Sequence, residues 1–360
     1  MNDILLNQFL NCGFFIGDLN EDKMWFMTSS IRQLKNQEEN LFPFFYLNNF
    51  FSNKKNPFYK GLNFQEMSIS DFQKIIDNNS SKKPNIKWKS ANKDFYLKQY
   101  SELKKEISLK ILKKGVPYSF QEGSCKLSKE NKLYLLKNIL KNRKKNSSYI
   151  YGYWNKSEGV IGTTPELLFI QKNNNIQTIA LAGTVPNEKN VDKNNFINDP
   201  KMQNEHAYVI EGMKQTLEKF GDFSFGKTHL LELPKLIHLK TDINIKISEN
   251  IDFDYESFLK ELHPTAALGI LPKNSKSNWL NSFESSKINR GYFAASFGVV
   301  LNKNNSIFIA TIRGMQWQNN TLKVSAGGGV IQESIFADEW NEINTKINSI
   351  KDNLGLHSTI

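Results

Sequence analysis

Apolar residues recur at helical spacing in several parts of the chain. One helical face is predicted by five residues at intervals of four, three, four and four positions: Tyr96, Tyr100, Leu103, Ile107 and Ile111. Similar patterns predict helices over residues 133–140 and 205–220, and a last helix that begins near Ala337. Helices therefore account for only a few segments, two in each half of the chain.

Short apolar runs between polar segments predict strands. The runs cover residues 12–16, 23–27, 116–120, 149–153, 167–170, 176–181, 293–301, 307–312 and 322–324. Residues 79–84 (NSSKKP) form a polar connection. Strands mixed with a few long helices predict an α+β fold, with large antiparallel β-sheets flanked by helices.

The composition predicts a large hydrophobic core and argues against several classes of protein. The chain of 360 residues is 39% hydrophobic and carries a net charge of +11. Its lysines are scattered, and the densest cluster, residues 141–145 (KNRKK), is typical of a solvated helix end, so we expect no nucleic-acid partner. The sequence contains no long apolar window, no secretory signal pattern and no cysteine cluster, which favours a cytoplasmic protein without a membrane span.

A run of glycines is the first candidate for binding chemistry. Residues 326–330 (AGGGV) follow a predicted strand and precede the last helix. Glycines let backbone amides approach an anion closely, because no Cβ is in the way. The alternative interpretation is a tight turn without a ligand.

The last helix carries two carboxylates and a lysine on one face. Glu339 and Glu342 are three residues apart, and Lys346 follows four residues later. The set predicts either an exposed ion pair or ligands for Mg²⁺, which prefers oxygen donors and often takes one or two carboxylates.

Other charged residues stand at places where a partner is needed. Glu205 and His206 open a predicted helix, and the carboxylate of Glu205 could complete a metal site. Arg313 ends an apolar strand, so its partner is either a substrate carboxylate or a protein carboxylate. Glu166 interrupts two apolar runs, where it is either a turn residue or a desolvated acid with a raised pKa.

Taken together and in order, these segments resemble the motifs of chorismate-utilising enzymes. The matching segments are residues 162–166 (GTTPE), 181–184 (LAGT), 201–206 (KMQNEH), 238–239 (HL), 262–269 (LHPTAALG), 290–295 (RGYFAA) and 312–313 (IR), and the glycine run followed by Glu339, Glu342 and Lys346. The resemblance extends from about residue 95 to the C-terminus. It implies that residues 91–360 form the chorismate-binding catalytic region, and that residues 1–90 are a divergent N-terminal part of the same compact domain.

Within that family, the sequence is most similar to isochorismate synthases. Glu205-His206 matches the members that use water, and Ala182 stands where one type of aminodeoxychorismate synthase carries a nucleophilic lysine. The rival expectations are the first component of an anthranilate or aminodeoxychorismate synthase, which would need ammonia from a glutamine amidotransferase partner, and a salicylate synthase.

The position of the general base depends on the alignment. One alignment places Lys114 at the end of a helix, and a rival alignment places Ser119 or Gln121 there, of which Gln121 is similar to the amine-using members. The helical pattern that ends at Ile111 favours Lys114.

The resemblance also implies a set of roles. Lys114 would take a proton from water and Glu166 would protonate the departing hydroxyl. Mg²⁺ held by Glu205 and Glu342, with Glu339 helping through a water molecule, would bind the ring carboxylate of chorismate. Ala267 and Leu268 would position the attacking water. The remaining substrate-binding residues would be Thr184, His206, Arg313, Gly327, Gly328 and Lys346. Met202 and Phe293 depart from the usual Glu and Tyr of the family.

Overall fold

The computed structural model describes residues 2–34, 41–142, 149–187, 191–233, 235–247, 253–284 and 289–357. Its helices are α1 (Asp3–Asn11), α2 (Ile69–Asp77), α3 (Lys93–Ser108), α4 (Lys129–Lys141), α5 (Lys193–Ile197), α6 (Pro200–Leu217), α7 (Tyr255–Leu262), α8 (Trp279–Ser282) and α9 (Phe336–Asn353).

The strands follow in chain order. They are β1 (Gly13–Asp18), β2 (Lys23–Thr28), β3 (Arg32–Gln33), β4 (Phe44–Leu47), β5 (Phe58–Lys60), β6 (Asn63–Ser68), β7 (Lys87–Trp88), β8 (Lys114–Gly115), β9 (Tyr118–Ser124), β10 (Tyr149–Trp154), β11 (Glu158–Thr164), β12 (Leu167–Lys172), β13 (Asn175–Pro186), β14 (Gly221–Phe225), β15 (His229–Glu232), β16 (Leu236–Ile247), β17 (Ile270–Leu271), β18 (Ser296–Asn302), β19 (Asn305–Ala310), β20 (Gly314–Gln318) and β21 (Thr321–Gly327).

Two large antiparallel sheets form the centre of the molecule. The first has the order β6-β2-β1-β10-β11-β20-β21-β9-β7, and the second has the order β14-β16-β13-β12-β19-β18-β4-β5-β3, with β15 also paired to β16. The predicted α+β class with large antiparallel sheets is confirmed. A short pair, β8 and β17, lies outside both sheets and carries Lys114.

The sheets pack face to face through an aromatic layer. Successive residues of β1 point to opposite faces, so Phe14 lies in the layer between the sheets while Phe15 packs under the helices on the outer side. The strand is therefore apolar at nearly every position, because both of its faces are covered.

Residues from the N-terminal part extend both sheets. Strands β1, β2 and β6 continue the first sheet beyond β10, and β4, β5 and β3 continue the second sheet beyond β18. Residues 1–90 and the rest of the described chain thus share both sheets.

Several predicted boundaries differ from the structure. Helix α3 ends at Ser108 and the chain turns at Lys110 (φ 58°), so Ile111 is 42% exposed and not on the buried face. Helix α6 begins earlier than predicted, at Pro200, because the Asp199 side chain caps it by accepting from the Met202 amide. Glu205 therefore lies in the second turn of the helix.

Two strands near the predicted site have different ends from their apolar runs. Strand β18 begins at Ser296 because residues 291–294 form turns, and β19 ends at Ala310, before Arg313. Arg143, Lys144 and Lys145 of the basic run lie outside the described residues. In the part of the chain that the structure describes, every helix is too short or too polar to cross a membrane.

Candidate active site

A pocket of about 730 Å³, partly open to solvent, lies where α6 and α9 meet the second sheet and the short β8–β17 pair. Ten of the thirteen residues predicted for the site line it: Lys114, Glu166, Thr184, Glu205, Ala267, Leu268, Arg313, Gly327, Glu342 and Lys346. The structure therefore brings together residues that are separated by more than two hundred positions in the sequence.

Glu166 is a buried carboxyl group at the turn between β11 and β12. It is 4% exposed, and its backbone N–H donates to the Thr164 hydroxyl at 3.1 Å, which fixes the turn. Burial raises the pKa of Glu166 to about 8, although the cations of Lys114, Arg313 and Lys346 oppose that shift. The group can thus hold a proton at neutral pH and donate it into the pocket.

Lys114 lies on β8 on another wall of the pocket. Its ammonium is buried and 3.3 Å from Oε1 of Glu205. Gly329 makes this approach possible, because a Cβ at that position would lie 2.1 Å from Glu205 Oε1 and 2.7 Å from Lys114 Cε. The rival base positions do not line the pocket: the Ser119 hydroxyl donates to the Asn92 carbonyl, and the Gln121 amide donates to the Lys89 carbonyl.

Arg313, between β19 and β20, is held in place by His238 of β16. A guanidinium nitrogen lies 2.8 Å from Nε2 of His238, and His238 Nδ1 lies 2.9 Å from the Thr184 hydroxyl. Because arginine only donates, Nε2 accepts and the neutral ring carries its proton on Nδ1. Burial, and then the charges of Arg313 and Lys346, hold the pKa of His238 well below its usual value, consistent with this neutral form.

Lys346 and the glycine run form the end of the pocket next to α9. The Lys346 ammonium donates to the Gly327 carbonyl at 2.8 Å and pairs with Glu342 at 2.5 Å. The Gly328 amide was expected to hold a substrate carboxylate, but it donates to the Pro117 carbonyl at 3.2 Å and does not line the pocket. Because the Gly328 amide is used in a backbone hydrogen bond, it is not available to bind a ligand.

The three predicted metal ligands lie on α6 and α9, and each is paired with a lysine. Glu205 contacts Lys114, Glu339 contacts Lys201 at 2.9 Å, and Glu342 contacts Lys346. Among the described residues no three such side chains converge closely enough to form a ready metal site. The donors nevertheless suit Mg²⁺, since all are carboxylates, and repulsion from Glu342 adds to burial in raising the pKa of Glu339.

His206 takes a different place from the one expected. It faces β16, where its Nε2 lies 2.8 Å from the Thr241 hydroxyl, and it does not line the pocket. Burial, followed by the charge of Lys114, lowers its pKa to about 4, so it is a neutral side chain that joins α6 to the sheet. Ala267 and Leu268, in contrast, form an apolar wall of the pocket.

Several residues that line the pocket were not among the predicted site residues, and they include His238, Arg290, Phe293 and Gly329. The first three stand inside the motif segments, so their presence in the pocket could have been inferred from the resemblance. Gly329 belongs to the same glycine run as Gly327 and Gly328. Gly327 and Gly329 line the pocket and Gly328 does not, and nothing in the sequence of the run indicates this difference.

The pocket combines a buried acid, Glu166, and a buried lysine, Lys114, with the cations of Arg290, Arg313 and Lys346. A sequence model of the chorismate-binding enzymes matches residues 33–355. The chain belongs to the chorismate-binding enzyme family.

The sequence relatives that match part of this chain include enzymes named isochorismate synthase. An isochorismate synthase, MenF, of Haemophilus influenzae is 31% identical over 218 residues, which cover 58% of this chain and 49% of that protein. The vibriobactin-specific isochorismate synthase of Vibrio cholerae is 25% identical over 198 residues, covering 53% of this chain and 49% of that protein. The chain thus aligns with about half the length of these relatives.

The structural likeness extends further along the chain than the sequence likeness. The crystal structure of a putative 2,3-dihydroxybenzoate-specific isochorismate synthase, DhbC, from Bacillus anthracis matches with a TM-score of 0.79 at 19% identity. The match covers 99% of this chain and 100% of that one. At this level of identity the likeness establishes the fold.

Proposed function

We propose that the protein is an isochorismate synthase, which converts chorismate to isochorismate. The observation that carries the proposal is the pairing of a buried lysine, Lys114, and a buried carboxyl group, Glu166, on the walls of one pocket. The names of the sequence relatives support the same activity.

The reaction exchanges one hydroxyl group for another. Water adds to C2 of the ring and gives a proton to Lys114, and the C4 hydroxyl leaves as water with the proton of Glu166. Lys114 must be neutral to accept a proton, so its ion pair with Glu205 has to be broken first. The raised pKa of Glu166 keeps its proton available near neutral pH.

Arg313, Lys346 and Thr184 are suited to hold the enolpyruvyl carboxylate. The guanidinium of Arg313 is already oriented by His238 and forms strong paired hydrogen bonds with carboxylates. The apolar wall of Ala267 and Leu268 excludes solvent from one side and would position the attacking water.

Mg²⁺ is proposed as the cofactor. Glu205, Glu339 and Glu342 would hold it, and it would neutralise the ring carboxylate of chorismate, which three glutamates would otherwise repel. Each glutamate would then exchange its lysine partner for the metal.

The test is to incubate the purified protein with chorismate and Mg²⁺, with and without EDTA or ammonium, and to separate the products by chromatography. We expect isochorismate that is independent of ammonium and absent with EDTA. Lys114→Ala should abolish product, whereas Lys113→Ala, which removes an exposed lysine paired with Glu211, should not.

Other products would redirect the proposal within the family. Anthranilate or aminodeoxychorismate that forms only with ammonium would show an amine-using enzyme, which takes ammonia from an amidotransferase partner. Salicylate and pyruvate formed from chorismate would show a salicylate synthase. No turnover by the wild-type protein would contradict the proposed activity altogether.

A further inference from the structure

A glutamine outside the predicted site fixes one wall of the pocket. The side-chain amide of Gln316, on β20, donates to the Arg290 carbonyl at 2.8 Å and accepts from the Tyr292 N–H at 2.8 Å. One side chain thus satisfies two backbone groups of the turn at residues 290–292, and no other described side chain does the same for both groups.

The turn is shaped to receive this glutamine. Gly291 has a φ of 57°, a conformation that favours glycine, and a Cβ there would lie 2.3 Å from Oε1 of Gln316. The Gln316 amide therefore closes directly over the backbone of Gly291. The clamp, defined here as Gln316 with the backbone of residues 290–292, requires glycine at its centre.

The clamped turn places two side chains on the pocket wall. Arg290 and Phe293 line the pocket, one on each side of the turn. The Arg290 guanidinium is buried between the rings of Phe50 and Tyr118, with its carbon 4.1 Å and 4.4 Å from their centres.

Arg290 also reaches the strand of the proposed base. Its Nη2 donates to the Val116 carbonyl at 3.1 Å, two residues beyond Lys114. Phe293 stacks on Tyr118, the first residue of β9, with ring centres 5.8 Å apart. Through these two contacts the position of the turn sets the position of the segment that carries Lys114.

We propose that Gln316 is a positioning residue for the reaction: it holds the turn at residues 290–292, and through Arg290 it holds the Lys114 segment at its working distance from the substrate. The inference rests on the proposed function. Misplacing a reacting group by about 1 Å can lower the rate of an enzyme by about 100-fold, so a residue without substrate contact can control turnover.

The test compares three variants. Gln316→Met keeps the length of the side chain and removes both hydrogen bonds, and Gln316→Glu keeps the acceptor for Tyr292 but removes the donor to Arg290. Gln318→Met, two residues along the same strand and exposed, is the matched control. Steady-state kinetics with chorismate and hydrogen–deuterium exchange of residues 114–118 and 290–295 are measured for each.

We expect Gln316→Met to lower kcat by about 10- to 100-fold with a much smaller change in KM, and to speed exchange in both segments. In Gln316→Glu, the activity relative to the wild type should recover as the pH falls from 7 to 5, because the protonated carboxyl group can donate again. Gln318→Met should behave as the wild type in both measurements.

Two results would overturn the inference. Faster exchange with unchanged kcat would mean that the clamp is only structural, and unchanged exchange would mean that it does not hold these segments. If the wild-type protein gives a product other than isochorismate, the proposed function fails, while the exchange data and the turnover to that product still decide the role of Gln316.

Discussion

At the scale of single residues, Glu166 shows how burial creates a proton donor. The carboxyl group is 4% exposed, and its raised pKa of about 8 results from that burial. We predict that kcat falls as the pH rises through about 8, because the acid is then deprotonated. A pH–rate profile measures this, and a profile that stays flat up to pH 10 would contradict the assignment of Glu166 as the acid.

Replacing Glu166 should lower the activity and, at high pH, raise the melting temperature. Glu166→Gln keeps the shape but cannot release a proton, so we expect a loss of about 100- to 10,000-fold in kcat. The folded state favours the protonated carboxyl group, whose contribution to stability is complete below pH 4.5 and is lost as the pH rises through about 8. The variant should therefore melt at a higher temperature than the wild type at pH 9, and at a similar one at pH 4.

Some of the predicted residues that line the pocket have a local signal in the sequence, and others were indicated only by the resemblance. Glu166 interrupts two apolar runs and Arg313 ends one. Each could therefore be identified as a candidate site residue without an alignment. Gly328 and His206 were misplaced because their surroundings are set by distant backbone and side-chain partners, Pro117 and Thr241. Such partners have no periodicity in the sequence from which they could be inferred.

At the scale of elements, α6 and α9 bring the carboxylates of Glu205 and Glu342 to the pocket, and Glu339 lies three residues before Glu342 on α9. Mg²⁺ that binds them only in the folded state should raise the melting temperature, and a concentration 100-fold above its Kd stabilises by about 2.7 kcal/mol. We predict an increase of several degrees in the wild type, measured by calorimetry with and without Mg²⁺, and a much smaller increase in Glu342→Gln.

A nearby carboxylate provides the control for this metal effect. Glu333 precedes α9 and does not line the pocket. Its carboxylate accepts from the side-chain amide of Asn204 at 3.4 Å. Glu333→Gln should keep the full response to Mg²⁺. An equal response in both variants would mean that the cation binds elsewhere.

Element type was easier to predict than element boundaries. Every segment predicted as a helix or strand contains one, because the apolar spacing reflects the buried faces. The ends of the elements depend on contacts outside that pattern. The Asp199 cap places the start of α6 five residues before the predicted start. The left-handed conformation of Lys110 ends the apolar face of α3 before Ile111.

At the scale of the whole molecule, the aromatic layer ties the N-terminal strands to the rest of the fold. The ring of Phe14 on β1 lies 5.3 Å from Phe45, 4.5 Å from Tyr153 and 6.0 Å from Phe297, centre to centre. These partners belong to strands of both sheets, on both sides of residue 90. One buried side chain thus bridges the two sheets and the two parts of the chain.

This bridging predicts a single unfolding transition. Phe14→Ala should destabilise the protein by about 3–5 kcal/mol, because it leaves a cavity in a layer shared by both sheets. The melting temperature recorded by calorimetry should fall for the whole protein at once, whereas Leu62→Ala, at a site that is 78% exposed, should change it little. Two separate transitions, with only one of them shifted by Phe14→Ala, would instead show that residues 1–90 fold as an independent unit. A single shifted transition would mean that the pocket and the N-terminal strands are stable only together.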